Sequence, residues 1–287
     1  MNVSAKEPLR VLAANPSPLT GPGTTTFLIG HRHVAVIDPG PDDAAHVAAI
    51  LEAGAGRISH ILVTHAHLDH SGAADRLSRL TGAPVLGYGT ATAGRSPVME
   101  RLAAENALRG GEGLDHAFAP DLRVADGDVI ETPDWTITTL HTPGHAAGHL
   151  SFAWGDTVFC GDLVMGWSST LISPPDGDLG DYFHSLDRLA ALSPRRLLPT
   201  HGPAIDSPLP RLADLAAHRR ARTAQILAAL RDQPDDAQGL ARRLYDVPPQ
   251  LLPAATRNVL AHLIALSHLG AVVFQEELGA ETVFSPA

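Results

Sequence analysis

Along the first two-thirds of the chain, apolar residues come in short β-branched runs separated by turn residues rather than in long helical stripes. Leu9–Ala13 and Thr24–Ile29 read as strands flanking the Pro/Gly-rich loop Asn15–Gly23. Gly30-His31-Arg32-His33 turns the second strand into Val34–Ile37, a pattern that predicts a hairpin. Asp38-Pro39-Gly40 stops the sheet, and a helix is predicted over Asp42–Ala53 with its acidic residues in the first turn. Next come a strand over 58–63 and a short helix over Ser71–Leu80, where Ala73, Leu77 and Leu80 recur at helical spacing. Pro84–Gly87 is a further strand. Residues 90–113 are polar and Gly-rich, with a helix over Pro97–Leu108, and read as an insertion near the mouth of a site. Strands follow over 122–130 and 135–140, then a hairpin of 150–154 and 157–160 with Gly155-Asp156 at its turn. A helix over 181–192 and a last strand over 196–198 close the series.

This order predicts an α/β protein with two sheets covered by outer helices, a four-layer αββα sandwich rather than a doubly wound sheet. The pattern changes after His201-Gly202. Pro203, Pro208 and Pro210 mark a linker, and helical periods cover about 210–232, 235–245 and 249–269. Two apolar strands, Ala271–Glu276 and Glu281–Phe284, end the chain. The expected division is therefore a layered α/β domain over 1–205 and a small winged-helix-like α+β module over 206–287.

Composition narrows the class. The chain has 287 residues, 44% of them hydrophobic, and a formal charge of −10, which argues against a nucleic-acid footprint over the whole surface. The single cysteine, Cys160, allows no intramolecular disulfide and suggests a reducing compartment. No apolar run approaches a bilayer span, and Met1–Arg10 lacks the apolar core of a secretory signal, so the expected location is cytoplasmic. Cys160 itself reads as a packed strand residue.

The 16 histidines invite a metal hypothesis, and their placement sharpens it. Ile61-Leu62-Val63 leads into Thr64-His65-Ala66-His67-Leu68-Asp69-His70, three imidazoles and a carboxylate where a strand ends and a helix begins. Imidazole with carboxylate favours borderline ions such as zinc. Three later strand ends repeat the arrangement: His141-Thr142-Pro143-Gly144-His145, Cys160-Gly161-Asp162 and Thr200-His201-Gly202.

These motifs resemble the metallo-β-lactamase fold hydrolases, over about residues 9 to 205. The resemblance implies that His65, His67 and His145 hold one metal, that Asp69, His70 and His201 hold a second, and that Asp162 bridges them. Aspartate at the bridging position is similar to the glyoxalase II and ribonuclease branches and unlike the class B1 β-lactamases, which carry cysteine there. Asn15-Pro16-Ser17-Pro18-Leu19-Thr20, Gly23-Thr24-Thr25-Thr26-Phe27, Asp178-Leu179-Gly180-Asp181-Tyr182 with Ser185-Leu186, Thr200-His201-Gly202-Pro203 and the terminal module resemble the β-lactamase-like protein 2 group. Thr25 stands where that group more often has asparagine.

The resemblance implies a hydrolase with two Zn2+ per chain (Mn or Fe as alternatives) and a metal-bridging hydroxide as nucleophile. Two close metal ions lower the pKa of a shared water from about 15.7 to about 7. Asp69 is the expected catalytic residue, orienting the nucleophile and handling its proton. Ester, thioester, lactone and phosphodiester substrates all fit this chemistry, with a small ester or thioester as the expected partner. The alternatives are a single-strand endoribonuclease acting on RNA and a mononuclear iron oxidoreductase on His65, His67 and His145. A homodimer through the apolar terminal module is also compatible.

Other residues carry weaker expectations. His149 is a candidate partner behind the ligands, Thr64 and Thr142 are candidate hydrogen-bonders to them, and His60 reads as structural. His31, His33, His46, His218, His262 and His268 read as surface or interface residues. The run His218-Arg219-Arg220-Ala221-Arg222, with Arg211, Arg242 and Arg243, reads as a solvated helix face balanced by Asp214, Asp232, Asp235 and Asp236. Its alternative is a positive stripe facing the site.

Overall fold

The structure, a computed structural model, describes residues 7–104, 113–275, 277–279 and 281–287. Its first sheet contains β1 (Leu9–Leu12), β2 (Thr25–Ile29), β3 (Val34–Ile37), β4 (Ile58–Leu62), β5 (Val85–Gly87) and β6 (Leu122–Arg123), in that spatial order. The first three strands pair antiparallel and the last four pair parallel. Helices α1 (Ala44–Gly54), α2 (Leu68–Ser71), α3 (Ala74–Thr81) and α4 (Pro97–Ala104) lie between them in the chain. The second sheet is formed by β7 (Val129–Glu131), β8 (Thr136–His141), β9 (Leu150–Trp154), β10 (Thr157–Gly161) and, after α5 (Leu179–Leu192), β11 (Arg196–Pro199). Its pairs are antiparallel except β10 with β11.

Period-two alternation explains the layers. On β3, Val34 and Val36 turn outward onto Val47, Ile50 and Leu77 of α1 and α3, while Ala35 and Ile37 turn inward. On β10, Val158 and Cys160 face Tyr182, Leu186 and Leu189 of α5, and Phe159 faces inward. The inward residues of both sheets, among them Phe27, Leu62, Ile137, Phe152 and Leu198, form one core between them. Strands buried on both faces read as near-continuous apolar runs, which is why the sequence shows them so plainly. The four-layer αββα expectation is met, and Cys160 is a packed strand residue, fully buried.

The remaining helices, α6 (Pro208–Asp232), α7 (Ala237–Leu244) and α8 (Leu252–His268), and the two-residue pair β12 (Val272–Val273) and β13 (Ser285–Pro286), follow β11. α6 opens with proline at its first turn, where the missing N–H costs nothing. Ile226, Leu230, Leu240, Val259, Leu263 and Phe284 form a separate core here. Its other end is not separate: Leu212, Leu215 and Ala216 of α6, with Ala261 of α8, pack onto the α5 side of the second sheet.

Several expectations need correction. Residues 122–130 are not one strand: β6 belongs to the first sheet and β7 to the second, so this stretch carries the chain between layers. α1 has no acidic residue inside its first turn; Asp43 caps it instead, accepting from His46 N at 2.8 Å. Of the last two strands, β12 covers only Val272–Val273 of the predicted 271–276, and its partner β13, Ser285–Pro286, follows the predicted 281–284, where Phe284 instead enters the core and bridges to Asp235. Of the insertion 90–113, helix α4 packs Met99 and Leu102 into the C-terminal core, while Gly113 at its end lies at the site mouth. The predicted helix end at Leu108, Glu276 and Met1–Lys6 lie outside the described residues. Among the described residues no helix is long and apolar enough to cross a membrane.

Candidate metal centre

All seven side chains singled out in the sequence meet at one end of the sandwich, just past the strands that carry them. Thr64 leaves β4, and α2 begins immediately after His67, so Asp69 and His70 sit on its single turn. His145 lies in the β8–β9 connection, where Gly144 (φ 143°) passes so close to α5 that a Cβ would lie 2.6 Å from Tyr182 Cα. Asp162 follows β10 directly after Gly161 (φ 48°), whose missing Cβ leaves room for His149 Nε2, otherwise 2.5 Å away. His201 follows β11, and Thr24 bridges to it.

The donor atoms form two adjoining sets. His67 Nδ1 lies 2.8 Å from His65 Nε2 and 3.1 Å from His145 Nε2. His201 Nε2 lies 3.2 Å from Asp69 Oδ2 and 3.4 Å from Asp162 Oδ1, and His70 Nε2 lies 3.5 Å from the same Asp162 oxygen. The other Asp162 oxygen, Oδ2, is 3.9 Å from His145 Nε2, so this carboxylate spans both sets. Ligand-capable atoms within the triads His65–His67–His145, His65–His70–Asp162 and Asp69–His70–His201 lie within 4.8 Å of one another.

This donor set fits metal ions better than it fits itself. His67 Nδ1 has at most one proton to share with two facing nitrogens. His70 Nε2 and Asp162 Oδ1 are buried without a hydrogen-bond partner among the described residues, although both belong to groups that burial penalises unless paired. A cation receiving these lone pairs resolves both problems.

The electrostatics divide the same way. Burial, reinforced by neighbouring imidazoles, holds His65 well below the usual histidine value and His67 at about 3. His145 is also lowered by burial, against a partial pull from Asp162. Burial likewise opposes a proton on His70 and His201, but the carboxylates outweigh it. Asp162, Asp69 and Asp38 raise His70 well above its ordinary value, and Asp162 and Asp69 bring His201 to about 10. In return, against their own burial, Asp69 is held at about 2 and Asp162 well below the carboxylate range. One half of the cluster thus favours neutral nitrogens, while the carboxylates of the other half favour positive charge beside them.

Asp38 is the residue that sequence reasoning missed. It is fully buried at the end of β3 in a left-handed conformation (φ 50°). Oδ1 accepts from Thr64 N at 2.7 Å; Oδ2 accepts from Thr64 Oγ1 and Thr200 Oγ1 at 2.8 Å and contacts His70 Nδ1 at 2.9 Å. One carboxylate therefore ties three strand ends together and orients a histidine, the arrangement expected behind a metal ligand. The signal available was position: an aspartate at a strand's carboxyl end, as at Asp162. Asp38-Pro39-Gly40 reads equally well as a turn.

The lesser candidates divide. Thr64 Oγ1 lies 3.0 Å from His65 Nδ1. Thr142 Oγ1 instead meets His149 Nδ1 at 3.0 Å, and His149 is fully buried with its ring 5.2 Å from that of His65. His60 stands edge-on to Trp135 in a structural role. Two of the presumed surface histidines are buried: His46 meets Thr26 Oγ1 at 2.9 Å and His262 meets Thr223 Oγ1 at 2.8 Å. Each polar partner lies on another element and is invisible to local pattern.

A cavity of about 560 Å³ opens onto His67, Asp69, His145, Asp162 and His201. Leu19, Met165, Trp167, Leu171 and, from the C-terminal module, Tyr245, Val247 and Leu251 line it. The basic run is neither a free stripe nor a solvated face as a whole. Arg219 is buried, Arg211 Nε donates to Met165 O at 2.9 Å, and Arg222 Nη1 donates to Leu244 O at 2.7 Å beneath the Tyr245 ring. Arg243 pairs with Asp235 at 3.3 Å, while Arg220 and Arg242 are exposed.

Residues 19–201 match the metallo-beta-lactamase superfamily, and residues 237–280 match the beta-lactamase associated winged helix domain. The chain belongs to the metallo-beta-lactamase superfamily. It is 28% identical to the beta-lactamase-like protein 2 homolog of Drosophila melanogaster over 91% of this chain and 88% of that protein. It is 27% identical to an atrochrysone carboxyl ACP thioesterase of Aspergillus fumigatus over 81% of this chain and 67% of the relative. A metallo-beta-lactamase family protein from Thermus thermophilus superposes with a TM-score of 0.79 at 26% identity, covering 98% of both chains. TTHA1623 in a di-iron-bound form superposes at 0.53 with 29% identity, over 70% of this chain and 96% of that one. The superfamily, the fold with its winged helix domain, and hydrolase chemistry are thus as the motifs led one to expect.

Proposed function

We propose that this metallo-beta-lactamase superfamily hydrolase cleaves small organic acyl esters or thioesters at a dinuclear metal centre. His65, His67 and His145 would hold the first ion, Asp69, His70 and His201 the second, and Asp162, whose two oxygens reach both donor sets, would be shared. Two complete donor sets sharing one carboxylate support two ions rather than a mononuclear iron centre. Zinc suits the mixed nitrogen and oxygen donors, and the di-iron form of TTHA1623 makes iron the alternative. When bound, such ions supply Lewis acidity and a water acidic enough to ionise near neutral pH.

The protein's own part is positioning and proton handling. Asp69 is ionised at neutral pH, its side chain 30% exposed to the cavity, and Oδ2 is the oxygen placed to orient an attacking water and take its proton. Buried His145 and His201 hold their places beside it through Leu171 O at 2.7 Å and Gly23 O at 3.2 Å. Leu19, Trp167, Leu171 and Leu251 exclude water from the substrate's apolar portion.

The observation that carries the substrate class is the cavity wall. It is mainly apolar, with Asn15, Ser17, Thr20, Ser168, Ser169 and Asn258 as its polar members outside the donor cluster, and Arg211, Arg219 and Arg222 are committed to main-chain carbonyls. The fungal thioesterase relative supports the same class. The test offers zinc- or iron-loaded protein a panel of acyl esters, acyl thioesters and a fluorogenic single-stranded RNA, beside Asp69→Ala. Ester or thioester turnover falling roughly 10²–10⁴-fold in the variant is expected. RNA cleavage lost in the variant, with no acyl turnover, would sink the substrate assignment.

A further inference from the structure

The second sheet and the C-terminal helices meet at residues 165–173, which rim the cavity and back one of the site histidines. His145 Nδ1 lies 2.7 Å from Leu171 O and 3.1 Å from Thr170 Oγ1. These contacts turn Nε2 toward His67 and Asp162. The segment has no regular secondary structure, so something else must hold it still.

The holders come from α6 and α8. Arg211 donates from Nε to Met165 O at 2.9 Å and from Nη2 to Ser168 O at 2.5 Å. Arg219 donates from Nη2 to Thr170 O and from Nη1 to Asn258 Oδ1 at 3.0 Å. The same Asn258 oxygen accepts Ile172 N at 3.1 Å. Arg219 is only 2% exposed, its guanidinium lies 5.6 Å from the Tyr182 ring centroid, and among the described residues no carboxylate pairs with it. Burying a charge without a counter-ion costs stability. An arginine kept there for packing alone has no reason to carry the charge, since methionine fills similar space. What arginine supplies is a rigid planar fork reaching two acceptors at once.

We propose that Arg219, through Thr170 and Asn258, is a positioning residue for His145, making the C-terminal module part of the metal centre rather than a separate binding unit. The metal-affinity arm of the test rests on the dinuclear reading above; a second arm does not. The first readout, in metal-free protein, is exchange protection of the His145 Nδ1 proton by 1H–15N spectroscopy. The second is metal content and affinity by chelator competition. Arg219→Met is compared with Arg219→Lys, with Asn258→Leu, and with Arg222→Met, whose arginine touches Leu244 O and not this segment.

Arg219→Met is expected to stay folded, to lose protection of the His145 proton, and to bind one of its two ions roughly 10–100-fold more weakly. Asn258→Leu follows it, Arg219→Lys falls between, and Arg222→Met matches wild type. Adding His145→Ala to Arg219→Met costs that ion no more than His145→Ala alone. Should Arg219→Met fail to fold, Asn258→Leu decides by the same readouts. Wild-type protection and affinity in the folded variants, or equal weakening of both ions, overturns the proposal. A wild-type chain that takes up no metal, with protection still lost in Arg219→Met, overturns the dinuclear reading and leaves the positioning role standing.

Discussion

Asp38→Asn isolates what one buried carboxylate does for the whole centre. Asparagine keeps the size and tolerates the left-handed backbone at this position. Its oxygen can still accept Thr64 N, which leaves an NH2 group facing three former donors: Thr64 Oγ1, Thr200 Oγ1 and His70 Nδ1. The two hydroxyls can rotate and accept the two amide protons. His70 cannot adapt so cheaply. Accepting from the amide requires Nδ1 to give up its proton and leaves the ring's one remaining proton on Nε2, the atom that faces Asp69 and Asp162. The substitution removes one charge-assisted hydrogen bond, about 1.5–3 kcal/mol of stability in the metal-free protein. Under the proposed dinuclear reading it also blocks His70 as a ligand and is expected to weaken the second ion about 10–100-fold. Urea unfolding of metal-free protein measures the first effect, and chelator competition the second. A stability change below about 0.5 kcal/mol together with unaltered metal affinity would refute the reasoning.

Two further outcomes follow from the same contacts. Gly161→Ala puts a Cβ 2.5 Å from His149 Nε2 and 2.9 Å from Thr64 Oγ1 at a positive φ, and should cost about 1–3 kcal/mol in thermal or urea unfolding. An unchanged melting temperature would mean that the β10 turn has slack the packing does not suggest. His262 should make the protein acid-sensitive independently of the metal centre. Burial, with the charges of Arg219 and Arg222, lowers it to about 3. The unfolded chain takes up this proton below about 6.5 while the folded chain does not, so stability is untouched above that pH. It declines as pH falls from about 6.5 to 3, by roughly 3–5 kcal/mol at most. His262→Leu should flatten that part of the stability curve relative to wild type; parallel curves would exclude the histidine as the cause.

What the sequence determined by itself was local. His65–His70, His145, Asp162 and His201 stood out because each lies just past the end of an apolar strand; grouping them into two donor sets came from the family resemblance. The αββα layering was readable for a related reason: strands buried on both faces stay apolar throughout. The tertiary structure alone decided everything that depends on a partner distant in the chain. Asp38 looks like a turn residue until Thr64 and Thr200 come within hydrogen-bond reach. Residues 122–130 look like one strand until their two ends pair with different sheets. Arg219 looks like a solvated cation until Thr170 O and Asn258 close over it. Backbone preference and hydrophobic period act over a few residues and leave their trace in composition. A hydrogen bond between groups dozens of residues apart leaves none, because either partner alone is an ordinary aspartate or arginine until folding brings the other to it.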